Sequence, residues 1–189
     1  MISFKNVSFG YGKRQILKNF SYDFKDGCRI CLFGESGLGK PTILRLIMGL
    51  EKPPDGEITG IKGKKISAVF QEDRLLPFKT IKQNLTLFGS REKAMENLER
   101  LGLMAAADSY PASLSGGMAR RAAIARALTN QADIYLFDEP FNGLDGDNIK
   151  AAADLILQET KGKTFIAVTH DKNQAELLGT EILDLKQVW

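Results

Sequence analysis

GESGLGKPT (Gly34–Thr42) joins a short apolar run, CRICLF (Cys28–Phe33), to TILRLIMGL (Thr42–Leu50), whose apolar residues have helical spacing. A strand, a glycine-rich turn and a helix in that order are the context of a loop that holds nucleotide phosphates. Glycines let the backbone come close and turn its N–H groups inward, and the helix N-terminus adds partial positive charge. The pattern G-x-x-x-x-G-K is met by Gly34, Gly39 and Lys40, with Glu35, Ser36, Gly37 and Leu38 between. The next position normally carries Ser or Thr, whose hydroxyl binds Mg²⁺; here it is Pro41, followed by Thr42. Taken alone, the loop also reads as a glycine-rich turn without a ligand.

Outward from this loop, apolar runs alternate with helical segments. ISFKNVSF and ILKNFSYDF have period 2 on either side of a turn at Gly10–Gly12, which predicts paired antiparallel strands with one buried face. CRICLF, DIYLF and TFIAV are continuous apolar runs, as expected of strands covered on both faces. Short strands are expected at Gly56–Thr59 and Ile66–Phe70, a helix through AAADLILQ and a last strand at EILDL. Between about Thr80 and Leu128 the pattern is helical, in IKQNLTLF, REKAMENLERLG and GGMARRAAIARAL. The order is a β-rich start, an α/β core with a mainly parallel sheet, an inserted helical block and a return to the core.

Composition excludes several classes. The 189 residues are 43% hydrophobic and 26% charged with a formal net charge of +3, which does not argue for nucleic acid or an anionic membrane. Lys62, Lys64 and Lys65 read as a solvated hairpin face. The start, MISFKNVSFG, lacks a signal-length apolar stretch, and no segment approaches the ~18 apolar residues of a membrane span. An intracellular chain is expected, reaching a membrane only through a partner. Cys28 and Cys31 form C-x-x-C, but strand residues three apart point to opposite faces, so core packing is the expected role.

Two further stretches carry chemistry. DIYLFDEP ends an apolar strand in Asp138 and Glu139, where open α/β sheets place ligand sites. Alternating side chains would send one carboxylate to Mg²⁺ and the other to an attacking water. An acidic pair ending a strand is otherwise a solvated turn. In LSGGMARRAAIARAL, Ser115, Gly116 and Gly117 put a hydroxyl, bare backbone and a positive helix end at one point. A plain helix cap is the alternative.

In combination these motifs resemble the ATP-binding subunit of an ATP-binding cassette (ABC) transporter, from about Ile2 to Leu185. The phosphate loop, Gln71 in VFQEDRLLP, LSGGM in place of LSGGQ, LFDEP, FNGLD ending at Asp145 and AVTHD with His170 follow in the family's order. Tyr11 matches the aromatic position that stacks adenine. The resemblance implies a single domain over 1–189, a P-loop NTPase core with an N-terminal antiparallel β subdomain and a helical subdomain at about 72–128. It implies that Gly34–Thr42 with Lys40 cradle ATP, that Gln71 and Asp138 hold Mg²⁺, that Glu139 polarises water and that His170 contacts the γ-phosphate. Ser115–Gly117 would close over ATP held by a second copy in a head-to-tail homodimer, with Asp145 linking the two sites. The implied function is ATP hydrolysis that energises solute transport, at the inner face of the cell membrane. The partners would be a transmembrane permease, docked in part by LLPF, and a solute-binding protein; nucleic acid is not expected. VFQEDRLLP and LSGGM look most like importer ATPases of the nitrate, sulfonate and taurine type. Pro41 motivates a second reading, a nucleotide-gated cassette that hydrolyses ATP poorly. A third, a soluble cassette for DNA repair or translation, lacks here the coiled-coil insertion or second cassette that such members carry.

Overall fold

The computed structural model describes residues 1–35 and 37–187. Ser36 therefore lies outside the described residues. Strands β1 (Ile2–Tyr11) and β2 (Arg14–Phe24) form an antiparallel hairpin. β4 (Asp55–Thr59) pairs with the other edge of β1, giving the order β2-β1-β4. The period-2 burial slips by one residue at two places, between Phe4 and Val7 and between Leu17 and Phe20, all four of which are buried. Asn6 and Asn19 occupy those slips in the left-handed conformation, each with φ 50°. Asn tolerates that region better than most residues, and a bulge there restores the inward phase. Serines hold both bulges: Asn6 N–H donates to Ser21 Oγ at 2.8 Å, and Asn19 N–H to Ser8 Oγ at 3.0 Å.

The main sheet is five-stranded and parallel, in the order β5-β6-β7-β3-β8. Its strands are β3 (Arg29–Phe33), β5 (Ile66–Val69), β6 (Ile134–Asp138), β7 (Thr164–Val168) and β8 (Glu181–Asp184). Alternate residues serve two cores, which explains the unbroken apolar runs. Ile30, Leu32, Ile134, Leu136, Ile166 and Val168 pack with the hairpin and with helix α1 (Lys40–Ile47). Tyr135, Phe137, Phe165 and Ala167 pack on the opposite face, against helices α4 (Gly116–Thr129) and α5 (Gly146–Glu159).

Helices α2 (Ile81–Thr86), α3 (Arg91–Arg100) and α4 lie between β5 and β6 in the chain. Thr80 starts α2 with a reciprocal capping box to Gln83. α1 stops where glycine is expected to stop it. Gly49 has φ 69°, and Leu50 N–H reaches back to Arg45 C=O at 3.0 Å. The short α6 (Lys172–Leu177), with Ala175 as its one buried residue, was not legible in the sequence. Cys31 is buried in β3, where burial pushes its thiol up to about 11; Cys28 precedes the strand, and both are free thiols. Among the described residues, no helix is long and apolar enough to cross a membrane.

Candidate functional site

Because the five strands run parallel, their C-terminal ends share one edge of the sheet. β3 delivers the glycine loop there, β5 delivers Gln71, β6 delivers Asp138 and Glu139, and β7 delivers His170. This is the edge at which open α/β sheets bind ligands.

The loop needs its glycines for two reasons. Gly34, Gly37 and Gly39 have φ of 141°, 92° and 79°. A Cβ on Gly34 would come within 2.8 Å of Leu38 Cδ1, and one on Gly39 within 2.8 Å of Ile16 Cγ2. Lys40, 6% exposed, folds back over the loop and donates from Nζ to Gly34 C=O at 2.6 Å and Glu35 C=O at 2.9 Å. Burial lowers its ammonium pKa, opposed by Glu139 and Asp138 nearby. A phosphate would replace those two carbonyls with full negative charge. Glu35 is turned outward and pairs with Lys186 at 2.5 Å.

Pro41 sits in the first turn of α1, where its missing N–H costs no intrahelical bond. It lines a cavity of about 200 Å³ together with Gln71 and Asp138. Thr42 is 6% exposed and does not line that cavity. The position that would carry a hydroxyl thus faces the same space as the strand-end carboxylate and amide. Burial, and then the charge of Glu139, push the Asp138 carboxyl up to about 6, against the pull of Arg120 and Lys40. A divalent cation would relieve that strain on the ionised form. One carboxylate, one amide oxygen, nucleotide phosphates and water form a donor set that suits Mg²⁺, which keeps several waters when bound.

Glu139 adopts a left-handed backbone, φ 47°, with its N–H donating to Val168 C=O at 2.9 Å. Its Oε1 lies 2.9 Å from Nδ1 of His170. That contact, first by the hydrogen bond and then by charge, raises the imidazole pKa. The two carboxylates therefore face different partners: Asp138 the cavity with Gln71, Glu139 the histidine.

Tyr11, 45% exposed, ends β1 with its ring edge-on to Phe9 at 5.0 Å and its hydroxyl 3.4 Å from Glu51. Ser115 caps α4, its Oγ accepting from Met118 N–H at 3.3 Å. A Cβ on Gly116 would meet open space, and one on Gly117 would meet Gly143 C=O at 3.2 Å and Leu144. Ser115–Gly117 thus present an open helix end beside the FNGLD segment. Asp145 caps α5, accepting from Asn148 N–H at 3.0 Å.

Two arginines escaped the sequence reading. Arg14, next to the β1–β2 turn, brings a guanidinium nitrogen within 3.4 Å of where a Cβ on Gly37 would stand. Arg120, 3% exposed, is bonded to the strand ends that carry Gln71 and Asp138. A signal for Arg120 exists: it shares a helical stripe with the buried Ile124 and Ala127, and a charge on a buried stripe needs partners.

Comparison with known proteins agrees with this architecture. The family profile described as "ABC transporter" matches residues 17–142. The glutamate/aspartate import ATP-binding protein GltL of Escherichia coli K12 is 37% identical, over 97% of this chain and 86% of its own length. The aliphatic sulfonates import ATP-binding protein SsuB 1 of Paracoccus denitrificans is also 37% identical, over 98% and 79%. The dimeric structure of MJ0796, a bacterial ABC transporter cassette, superposes with a TM-score of 0.84 at 34% identity, over 98% of this chain and 95% of that one. A second dimeric structure of MJ0796 is a post-hydrolysis state bound to ADP and Pi. A family profile over two thirds of the chain, import ATP-binding relatives at 37% identity and a superposed cassette all agree: the chain belongs to the ABC transporter family as an ATP-binding domain.

Proposed function

We propose that this chain is the ATP-hydrolysing subunit of an importer, closing on ATP with a second copy and passing the movement to a separate transmembrane permease. The observation that carries this reading is the convergence of Pro41, Gln71 and Asp138 on one cavity beside the phosphate loop, with the Glu139–His170 pair at the adjoining strand ends.

Each residue has a role in that reading. Tyr11 offers its exposed ring to adenine. The loop wraps the phosphates with backbone N–H groups while Lys40 neutralises the outer ones. Gln71 and Asp138 hold Mg²⁺, which when bound supplies charge neutralisation of the phosphoryl oxygens. Glu139 takes a proton from water, and His170 fixes its carboxylate and meets the γ-phosphate. Ser115–Gly117 complete the site of the facing copy and Asp145 stands at the junction; the dimeric MJ0796 cassette supports the pairing of two copies. Residues 1–189 act as one cassette with a helical part at about 72–128.

Exposed apolar side chains support a permease partner. Leu76 and Phe88 line a hollow of about 420 Å³ with Met48, Phe70 and Arg126, and Phe78 nearby is 92% exposed. Docked there, the chain would sit on the inner face of the membrane, and a solute-binding protein would serve the permease from the other side. Sulfonate and glutamate/aspartate import relatives match equally well, so the transported solute lies with the other subunits. Pro41 favours a second reading, a cassette that closes on ATP but turns it over slowly. Phosphate release by the purified chain, compared with Glu139→Gln, tests both: a rate well above the control supports the hydrolytic subunit, and a rate equal to it supports the slow gate.

A further inference from the structure

Arg120 lies one turn into α4, four residues beyond Gly116. All five N–H groups of its guanidinium have acceptors. Nε donates to Pro140 C=O at 3.0 Å, and Nη2 to Asp138 C=O at 2.6 Å and to Glu139 C=O. Nη1 donates to Phe70 C=O and to Asp73 Oδ1 at 3.1 Å. A buried charge has to be satisfied, but satisfaction alone does not require this choice of partners. The acceptors belong to two strand ends that are not adjacent in sequence, one leading into Gln71 and the other carrying Asp138 and Glu139.

The carbonyls it holds bracket a strained residue. Glu139 has φ 47°, a conformation unfavourable for a residue with a Cβ and kept only where the surroundings over-determine it. On one side the peptide N–H of Glu139 is tied to Val168; on the other, Arg120 ties the carbonyls of Asp138, Glu139 and Pro140. That conformation brings the carboxylate to His170. A planar fork can hold several carbonyls in fixed relation, and a lysine ammonium cannot.

We propose that Arg120 is a positioning residue for hydrolysis: from the signature helix it fixes the backbone around Glu139 and the Gln71 segment, and so aims the Glu139 carboxylate. The inference rests on the roles given above to Glu139 and Gln71. Arg120→Lys keeps the buried charge but loses the fork, and Arg120→Gln loses both. Steady-state kinetics with MgATP, thermal unfolding and the NMR signal of His170, the only histidine in the chain, decide the matter. With lysine, kcat falls at least roughly tenfold while KM stays within about twofold. With glutamine kcat falls further, so that lysine is a partial rescue. In both, the His170 ring signal moves toward that of Glu139→Gln. A risen KM with kcat retained, or an unmoved histidine signal, overturns the proposal. Should the glutamine variant not fold, the lysine variant decides alone. If the unaltered chain releases no phosphate, the hydrolytic reading fails, while the histidine signal still tells whether Arg120 aims Glu139.

Discussion

Pro41 is the residue at which fold and chemistry separate. The helix loses nothing by it, since a first-turn N–H has no partner within α1, and Ile43 N–H still reaches Gly39 C=O at 2.9 Å. In the proposed site, beside the cavity that Pro41 shares with Gln71 and Asp138, the proline would remove a hydroxyl ligand for Mg²⁺ and a backbone N–H for the phosphates. Thr42 is no replacement, because one step along a helix turns the side chain by roughly 100°. Phosphoryl transfer depends on metal position, so turnover should suffer more than binding. Pro41→Thr is expected to raise Mg²⁺-dependent ATP hydrolysis at least tenfold, about 1.4 kcal/mol of barrier, with nucleotide-free stability little changed. Equal rates at saturating Mg²⁺ would show that the hydroxyl is dispensable. His170 offers a second test at this scale. Its contact with Glu139 raises its pKa, so the imidazolium persists above the ordinary histidine range. The favourable pairing is present at lower pH and is lost as pH rises through the raised value. An NMR titration should find the midpoint above the ordinary value, and Glu139→Gln should bring it down. A midpoint indifferent to that substitution would break the pair.

Whether an element could be read in advance depended on how local its signal is. β6 and β7 are unbroken apolar runs and β1 and β2 alternate, so each announces itself within a few residues. α6 does not, because KNQAEL buries only Ala175 and is held by the Asp171 cap. The bulges at Asn6 and Asn19 were hidden because each matters only through its partner strand. The site divides the same way. The glycine loop and the Asp138–Glu139 pair are contiguous in the chain, whereas Arg120 binds acceptors that lie 18 to 50 positions away. The segment between β5 and α2 was legible as apolar, and the structure shows how far it is uncovered. Phe78, at 92% exposure, contributes almost nothing to the chain's own core. Phe78→Ser should therefore leave thermal stability and the isolated ATP turnover within about twofold. Co-purification with a co-expressed permease should fall sharply. Undiminished co-purification would move the docking surface elsewhere.

At the scale of the whole molecule, the proposed site is shared between two chains. The phosphate loop with its carboxylates occupies the sheet edge, while the open end of α4 lies beside Gly143 and Leu144. Two copies facing head to tail would bring each open helix end onto the other's nucleotide, where its free N–H groups and partial positive charge favour a phosphate. The ligand is then the adhesive, and hydrolysis removes it. Glu139→Gln keeps the shape of the site and removes the proposed base, so with ATP it should accumulate dimers. Ser115→Arg in that background places a long side chain where the facing nucleotide would sit. Losing the Ser115 cap costs about 1 kcal/mol. Against this, α4 is anchored by Ala122, Ala123, Ile124, Ala125 and Leu128, all buried, so the monomer should still fold and still bind ATP through its own loop. Sedimentation with and without ATP reads the result: dimers for Glu139→Gln with ATP, monomers for the double variant under the same conditions. A Glu139→Gln chain that stays monomeric at high concentration with ATP bound would count against the two-copy site. Dimers that survive Ser115→Arg would place the contact on another face.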